Sequence, residues 1–121
     1  MSIINYHNDF VQTCVSWIDS FGNEEEEKLA DKIREDSRDK MGERGCHYGL
    51  TALSLAESWF DSLDVSKFME EDYPEGTRLS LLWTEEKGYY WTPINKDGQS
   101  VNHYGKVFEL PEDSKIIAVQ S

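Results

Sequence analysis

Cys46 is the residue of this 121-residue sequence whose position most favours covalent chemistry. It follows the helix breakers Gly42 and Gly45 and precedes the apolar run LTALSLAESWF, which predicts a helix that begins near Cys46. The positive end of a helix dipole stabilises a thiolate. His103, 57 residues later, is a candidate base for the thiol proton. The pattern therefore offers Cys46 as a nucleophile and His103 as its base.

The order of these segments, GCHYGL at a helix start and then NHYGKVFEL among strands, resembles the Cys-helix and His-strand arrangement of papain-like and NlpC-type cysteine peptidases. The resemblance implies a polar residue on a following strand that orients the imidazole. Glu109 and Glu112 are near in sequence, but neither can be assigned this role. A 45-residue acidic helical lead is also not expected of a compact hydrolase. We therefore favour structural roles for Cys46 and His103 and keep the hydrolase as an alternative.

The sequence contains no recognisable metal or cofactor motif. Cys46 and His47 are adjacent on one predicted helix and point in different directions, and no C-x-x-C or H-x-x-x-H pair is present. A P-loop, a dinucleotide-binding fingerprint and a G-x-S-x-G elbow are also missing from the sequence. We expect no metal and no cofactor.

Charge is the most informative property of the sequence. Asp and Glu number 24 against 12 Lys and Arg, so the formal net charge is −12. Such a charge repels nucleic acid and anionic membranes and favours a basic partner. The charge is also uneven, because residues 1–73 hold 17 acids and 7 bases, whereas residues 74–121 hold 7 acids and 5 bases.

The length and the N-terminal sequence predict a cytoplasmic protein of one domain, residues 1–121. No apolar run approaches the roughly 18 residues of a membrane span, and MSIINYHNDF lacks the features of a signal peptide. The two cysteines, Cys14 and Cys46, are expected to be reduced rather than bridged.

The first half of the chain predicts helices. A stripe of Phe10, Cys14, Trp17, Ile18 and Phe21 has helical spacing, with Asn5 or Asn8 as a cap and Gly22 as the end. Asn23, followed by four glutamates with Glu26 at the capping-box position, predicts a second helix over about 24–41. Its expected side-chain pairs are Glu24–Lys28, Asp31–Arg34 and Asp36–Lys40.

A third helix is predicted over about 46–63, with apolar residues around most of its circumference. One narrow polar strip on it contains His47, Thr51, Ser54 and Ser58. Asp64 is expected to cap a short fourth helix that contains Phe68 and Met69. The helical part thus covers about residues 5–73.

After Gly76 the apolar period changes to two, which predicts β-strands over about 77–120. The candidate strands are TRLSLLWTEE, YYWTPI, QSVNHY, KVFEL and KIIAVQS, with Pro93 restricting its strand to an edge or a bulge. The predicted fold class is α+β, with three to four N-terminal helices packed on a C-terminal antiparallel β-meander.

These features favour a non-enzymatic protein that binds a basic protein surface. Residues 57–75 hold seven carboxylates and one lysine, which makes this region the least neutralised in the sequence. The predicted partner-binding residues are Glu57, Asp61, Asp64, Glu70, Glu71 and Asp72, with Trp59 or Tyr73 as aromatic anchors. The expected partner is a nucleic-acid-binding protein, with no direct contact to nucleic acid or membrane; self-association stays open.

In composition, though in no motif, the chain is similar to small acidic anti-defence inhibitors of phages and to nuclease immunity proteins. The similarity implies an inhibitor or adaptor whose carboxylates imitate phosphates. A second alternative is a small-ligand binder that uses the polar strip and the aromatic residues Tyr89, Tyr90 and Trp91 as pocket walls.

Overall fold

A computed structural model describes residues 2–36 and 48–121 of the chain. The elements in these residues are β1 (Ile3–Ile4), α1 (His7–Phe21), α2 (Glu24–Glu35), α3 (Leu50–Asp61), α4 (Val65–Met69), β2 (Arg78–Thr84), β3 (Gly88–Ile94) and β4 (Lys115–Val119). The helices lie in the first part of the chain and most strands in the last part. The predicted α+β class is therefore confirmed.

The chain divides into two compact units, which are described separately. Tyr6–Phe60 forms the helical unit, and Met1–Asn5 together with Asp61–Ser121 forms the sheet unit. Helix α4 and strand β1 therefore belong to the sheet unit. The prediction of a single domain over residues 1–121 stays a prediction.

Helix α1 supplies much of the core of the helical unit. Its buried side chains are Phe10, Val11, Cys14, Val15 and Ile18. The predicted apolar stripe is thus buried over most of its length, and Trp17 is half-buried. Phe21, in the last turn, is 73% exposed and does not join this core.

The start of α1 differs from the prediction. Tyr6 occupies the N-cap position and makes no side-chain cap hydrogen bond. Asn8 Oδ1 instead accepts a hydrogen bond from the Tyr48 N–H at 3.0 Å, and the Asn5 amide donates to the Ile116 carbonyl oxygen at 3.0 Å. The cap prediction is wrong because longer-range contacts use both asparagines. The predicted end at Gly22 is confirmed.

Helix α2 begins with the predicted capping box. Asn23 Oδ1 accepts a hydrogen bond from the Glu26 N–H at 2.9 Å, and Glu26 Oε1 accepts one from the Asn23 N–H at 3.2 Å. Glu26 Oε2 accepts a further hydrogen bond from the indole N–H of Trp59 at 2.7 Å. The Glu26 carboxylate therefore completes the capping box of α2 and also accepts the hydrogen bond of the Trp59 indole in α3.

Replacing Glu26 by Gln is expected to lower the free energy of unfolding by about 1–2 kcal/mol, because one amide oxygen replaces two accepting oxygens. Urea unfolding followed by tryptophan fluorescence measures the change. The matched control is Glu25→Gln, since the Glu25 side chain is 84% exposed and, among the residues that the structure describes, forms an ion pair with Lys28 alone. The control should change stability by less than about 0.5 kcal/mol. Equal losses in the two variants would contradict the assignment.

Ion pairs on α2 follow the prediction in part. Asp31 and Arg34 pair at 3.0 Å as predicted, whereas Lys28 pairs with Glu25 at 3.4 Å instead of Glu24. Arg34 also contacts Asp19 of α1, which helical spacing within α2 could not predict. The helix ends at Glu35. Asp36 is its C-cap residue, so the helix is shorter than the predicted span of about 24–41. Lys40, the predicted partner of Asp36, lies outside the described residues.

Helix α3 begins at Leu50, so the predicted start near Cys46 is wrong: Tyr48 and Gly49 precede the helix, and Cys46 itself lies outside the described residues. Asp36 supplies acceptors at this helix start, because its Oδ2 accepts a hydrogen bond from the Ala52 N–H at 2.9 Å and its carbonyl oxygen accepts one from the Gly49 N–H at 3.0 Å. A Cβ on Gly49 would collide with Oδ2 of Asp36, so glycine permits this close approach.

The buried face of α3 packs within the helical unit through aromatic side chains. Phe60 meets Phe10 edge to face at 5.3 Å between ring centroids, and both rings are fully buried. Trp59 lies against Trp17 at 5.5 Å. These contacts join α3 to α1.

The sheet unit contains a four-stranded antiparallel sheet of order β1-β4-β2-β3. This order differs from a simple meander, because β2 pairs with both β3 and β4. The predicted strands QSVNHY and KVFEL contribute only the isolated bridges Ile94↔Ser100 and Val101↔Val107. Strand β1 is two residues long, too short to give a sequence pattern. Pro93 lies in β3 at the edge of the sheet, as predicted.

Helix α4 begins at the predicted cap. Asp64 Oδ1 accepts hydrogen bonds from the N–H groups of Ser66 and Lys67 at 3.0 and 3.3 Å. The helix ends at Met69, and its C-cap residue Glu70 has left-handed backbone angles of φ 57° and ψ 32°. For a residue other than glycine, this backbone conformation costs about 1–2 kcal/mol of conformational free energy.

Candidate acidic interaction surface

The predicted partner-binding residues fall in both units. Glu57 and Trp59 lie in the helical unit, whereas Asp61, Asp64, Glu70, Glu71, Asp72 and Tyr73 lie in the sheet unit. Trp59 is only 7% exposed and donates to Glu26, so little of its ring is available to a partner. The candidate surface is therefore built from the sheet unit alone.

Residues 61–75, here called the acidic segment, hold six carboxylates and the single cation Lys67. Five of these carboxylates belong to exposed residues: Asp64, Glu70, Glu71, Asp72 and Glu75. Among residues 2–36 and 48–121, no Lys or Arg forms an ion pair with any of the six. Within the described part of the chain, the negative charge of the acidic segment is thus left without a Lys or Arg partner.

Two of the six carboxylates accept hydrogen bonds that stabilise the fold. Asp61 accepts hydrogen bonds from the Ser2 hydroxyl and the Ser121 N–H, both at 3.2 Å, and is half-buried. Asp64 caps α4. The carboxylates of Glu70, Glu71 and Asp72, which follow one another along the chain, form the exposed centre of the segment.

In the helical unit, several acidic residues form ion pairs with Lys or Arg. Arg34 bridges Asp19 and Asp31, and hydrogen bonding to Asp19 raises the pKa of its guanidinium further. Lys28 pairs with Glu25. Cations within the unit thus neutralise part of its acidic surface, so the acidic segment of the sheet unit is the better candidate for binding an external cation.

A turn from the loop after β3 packs against the acidic segment. Asn102 Oδ1 accepts hydrogen bonds from the N–H groups of Tyr104 and Lys106 at 2.9 and 3.0 Å, and Gly105 has a φ of +80°. A Cβ on Gly105 would lie 3.1 Å from Pro74 Cγ, so the glycine allows a close approach to the segment. The turn therefore holds His103 beside the carboxylate of Glu71.

His103 and Tyr104 extend the surface. His103 Nδ1 lies 3.6 Å from Glu71 Oε2, and its ring centroid is 3.9 Å from that of Tyr104. Tyr104 is 81% exposed. The acidic segment together with His103 and Tyr104 is called the acidic face below. Sequence reasoning missed Tyr104 as an aromatic anchor, although the Asn-x-x-Gly spacing around it is a turn signal.

A cleft of about 330 Å³ opens on the acidic face. Asp64 and Glu75 line it, together with Tyr73, Pro74 and Thr77. Burial, followed by the charge of Glu71, raises the pKa of Tyr73, whose hydroxyl lies 3.5 Å from Glu71 Oε2. The cleft thus combines two carboxylates with a neutral aromatic ring, a combination suited to a Lys or Arg side chain.

The remaining predicted site residues lie outside the described residues or are divided between the two units. Cys46 and His47 lie outside the described residues. Thr51, Ser54 and Ser58 are exposed on α3 in the helical unit. Tyr89, Tyr90 and Trp91 are consecutive in β3 of the sheet unit, so their side chains alternate between the faces of the sheet. The ligand-binding and hydrolase alternatives stay predictions.

Thiol labelling separates the two cysteines. Cys14 is fully buried, and burial raises the pKa of its thiol well above the usual value. Native Cys14 is therefore expected to resist iodoacetamide below pH 7, because the reactive thiolate is scarce and inaccessible. Labelling of native protein then reports Cys46, and Cys46→Ser is the control. Fast labelling would favour the hydrolase alternative, whereas labelling that appears only after denaturation would count against it.

The described residues contain no group of three or more His, Cys, Asp or Glu side chains that could hold a metal ion. A search of the helices in residues 2–36 and 48–121 finds none with the length and apolar character needed to cross a membrane. Comparison with family models, curated proteins and solved structures gives no significant match to this chain.

Proposed function

We propose that this chain is a binding protein whose acidic face engages a basic protein surface, acting as an inhibitor or adaptor. The observation that carries the proposal is the acidic segment, in which five exposed acidic residues have no Lys or Arg ion-pair partner among the described residues. A surface of this kind attracts a cationic partner and speeds its association.

The partner class follows from the form of the charge. Glu70, Glu71 and Asp72 present three carboxylates in succession, which resembles a short run of backbone phosphates. Proteins that bind nucleic acid carry Lys and Arg arrays for such phosphates. We therefore expect the partner to be a nucleic-acid-binding protein, whose basic groove the acidic face would occupy in competition with nucleic acid.

Aromatic contact supports the electrostatic part of the proposal. Tyr104 is exposed and packs against His103, which in turn contacts Glu71, and tyrosine is enriched among residues that dominate interface energies. The cleft lined by Asp64, Tyr73 and Glu75 offers one basic side chain of the partner both charge and a ring face. The acidic face thus offers aromatic contact residues in addition to its negative electrostatic potential.

The backbone of Glu70 adds a separate argument. Glycine would occupy its left-handed conformation without the steric cost of a side chain, yet the chain has a glutamate there. Strain that is retained at an exposed position is a reason to look for function at that position. A role in binding gives the carboxylate of Glu70 such a function.

The experiment that tests the proposal is affinity capture from a lysate of the native host at about 0.1 M and about 1 M salt, because the Debye length falls from about 10 to about 3 Å between them. We expect capture of a basic protein at the lower salt, its loss at the higher salt, and its release by added DNA or RNA. The variant Glu70→Gln/Glu71→Gln/Asp72→Asn should lose the partner.

The matched control neutralises three exposed carboxylates elsewhere in the sheet unit, Glu85→Gln/Glu86→Gln/Glu112→Gln. It removes the same charge and should keep the partner. A partner retained at high salt, or lost equally from both variants, would refute the proposal.

A further inference from the structure

A groove of about 290 Å³ lies on one face of the sheet in the sheet unit. Leu82 pairs with Ile116, and Arg78 pairs with Ile94. Directly paired residues of antiparallel strands place their side chains on the same face, so these four line one surface. No residue that lines this groove also lines the cleft of the acidic face.

The groove has an apolar wall and a basic rim. Leu82, Ile94 and Ile116 supply the wall, and Ile116 remains 48% exposed. Arg78 and Lys96 also line the groove, and neither forms an ion pair with a carboxylate of the described residues. Arg78 donates from Nη1 to the Gln120 carbonyl oxygen at 3.3 Å, and a guanidinium has further N–H donors.

Asp97 lines the groove as well, so the three charged side chains leave one net positive charge. This local sign is opposite to the net charge of −12 of the chain. Charges farther away than the Debye length, about 8 Å at physiological ionic strength, are largely screened. The basic rim is therefore able to attract a small anion despite the acidic character of the protein.

Ser100 provides an independent observation. It is a lining residue of the groove, is 3% exposed, and its Oγ has no hydrogen-bond partner among the described residues. Most buried hydroxyl groups in proteins have a hydrogen-bond partner, so a buried hydroxyl without one calls for an explanation. A polar atom of a bound ligand would give this hydroxyl a partner.

We propose that the groove binds a short amphipathic carboxylate. The alkyl chain lies against Leu82, Ile94 and Ile116, and the carboxylate is held by Arg78 and Lys96. The volume of the groove is near the lower end of the roughly 300–1,000 Å³ typical of ligand pockets, which favours a medium-length chain. Such a ligand covers Ile116, which is 48% exposed, and brings a negative charge to the basic rim.

Isothermal titration calorimetry of the full chain with octanoate tests the proposal. Saturable binding with a Kd below about 1 mM is expected, and its absence overturns the proposal. Acetate, which lacks the alkyl chain, should not bind measurably, and octylammonium should bind at least about threefold more weakly because its charge is reversed. Equal binding of octanoate and octylammonium overturns the role of the cations.

Variants locate the site. Lys96→Gln should weaken octanoate binding about threefold and Asp97→Asn should strengthen it about threefold, since the two exposed charges act in opposite directions. Ile116→Ser, at a partly exposed position that tolerates a polar group, should weaken binding about tenfold through lost apolar contact. Lys87→Gln, outside the groove, should leave the Kd unchanged. Loss of affinity in the Lys87 control, or none in the Ile116 variant, overturns the proposed location.

Discussion

Replacing Glu70, Glu71 and Asp72 together by lysine is expected to weaken binding to the captured basic partner by about 100-fold or more, because attraction becomes like-charge repulsion worth several kcal/mol. All three residues are exposed, and none makes an ion pair with Lys or Arg among the described residues. Folding should therefore survive the change. Surface plasmon resonance measures the affinity, and circular dichroism verifies the fold.

The control for this variant is Glu85→Lys/Glu86→Lys/Glu112→Lys, which changes the net charge by the same amount at exposed positions of the same unit. If the partner were attracted only by the net charge of the protein, the two variants would bind it equally weakly. If the partner binds the acidic face specifically, the control should bind it with several-fold to tenfold higher affinity than the Glu70/Glu71/Asp72 variant. Equal affinities in the two variants would contradict the assignment of the site.

The second large effect concerns stability. Phe60→Ala is expected to lower the free energy of unfolding by about 3–5 kcal/mol, because it removes a fully buried ring and leaves a cavity. Phe60 has no exposed surface and meets Phe10 edge to face at 5.3 Å. A loss of this size is a large part of the roughly 5–15 kcal/mol that holds a typical domain folded. Urea unfolding gives the value directly.

Phe21→Ala is the matched control, since Phe21 is the same residue type in an exposed position at the end of α1. Its ring contacts only Trp17 among the ring pairs of the described residues, at 5.6 Å. Its loss should cost less than about 1 kcal/mol. A small effect of Phe60→Ala, or a large effect of Phe21→Ala, would place the core of the helical unit elsewhere.

Local rules predicted the ends of helices well. The capping box at Asn23 and Glu26, the cap at Asp64 and the stop at Gly22 all depend on residues within three or four positions of each other. The sequence contains all that such contacts require. The cap of α1 failed because Asn8 makes its hydrogen bond to Tyr48, 40 residues away, and no local rule records that contact.

The strand order needed information that periodicity does not contain. Alternation located β2, β3 and β4, but it does not say which strands become neighbours. The β2–β4 pairing joins segments more than 30 residues apart. The loop between β3 and β4 has alternating residues yet forms only isolated bridges. Pro93 was placed correctly at an edge because its missing N–H is a local property.

Sequence reasoning located the charge of the candidate site and its aromatic residue Tyr73, but it misplaced Trp59 and missed Tyr104. Counting charges identified the acidic segment, because every carboxylate is visible in the sequence. The sequence does not reveal that Trp59 is buried against Trp17 and donates to Glu26, because these contacts join three helices. Tyr104 was missed for the complementary reason, since its position against His103 on the acidic face depends on the Asn102–Gly105 turn approaching Pro74.

The measurement that tests the central claim most directly is the salt dependence of the partner's Kd for the wild-type chain and for the Glu70→Gln/Glu71→Gln/Asp72→Asn variant. If the acidic face binds the partner through these carboxylates, log Kd rises steeply with log salt for the wild type and distinctly less steeply for the variant. The Glu85→Gln/Glu86→Gln/Glu112→Gln control keeps the wild-type slope. Identical slopes for all three proteins would contradict the account.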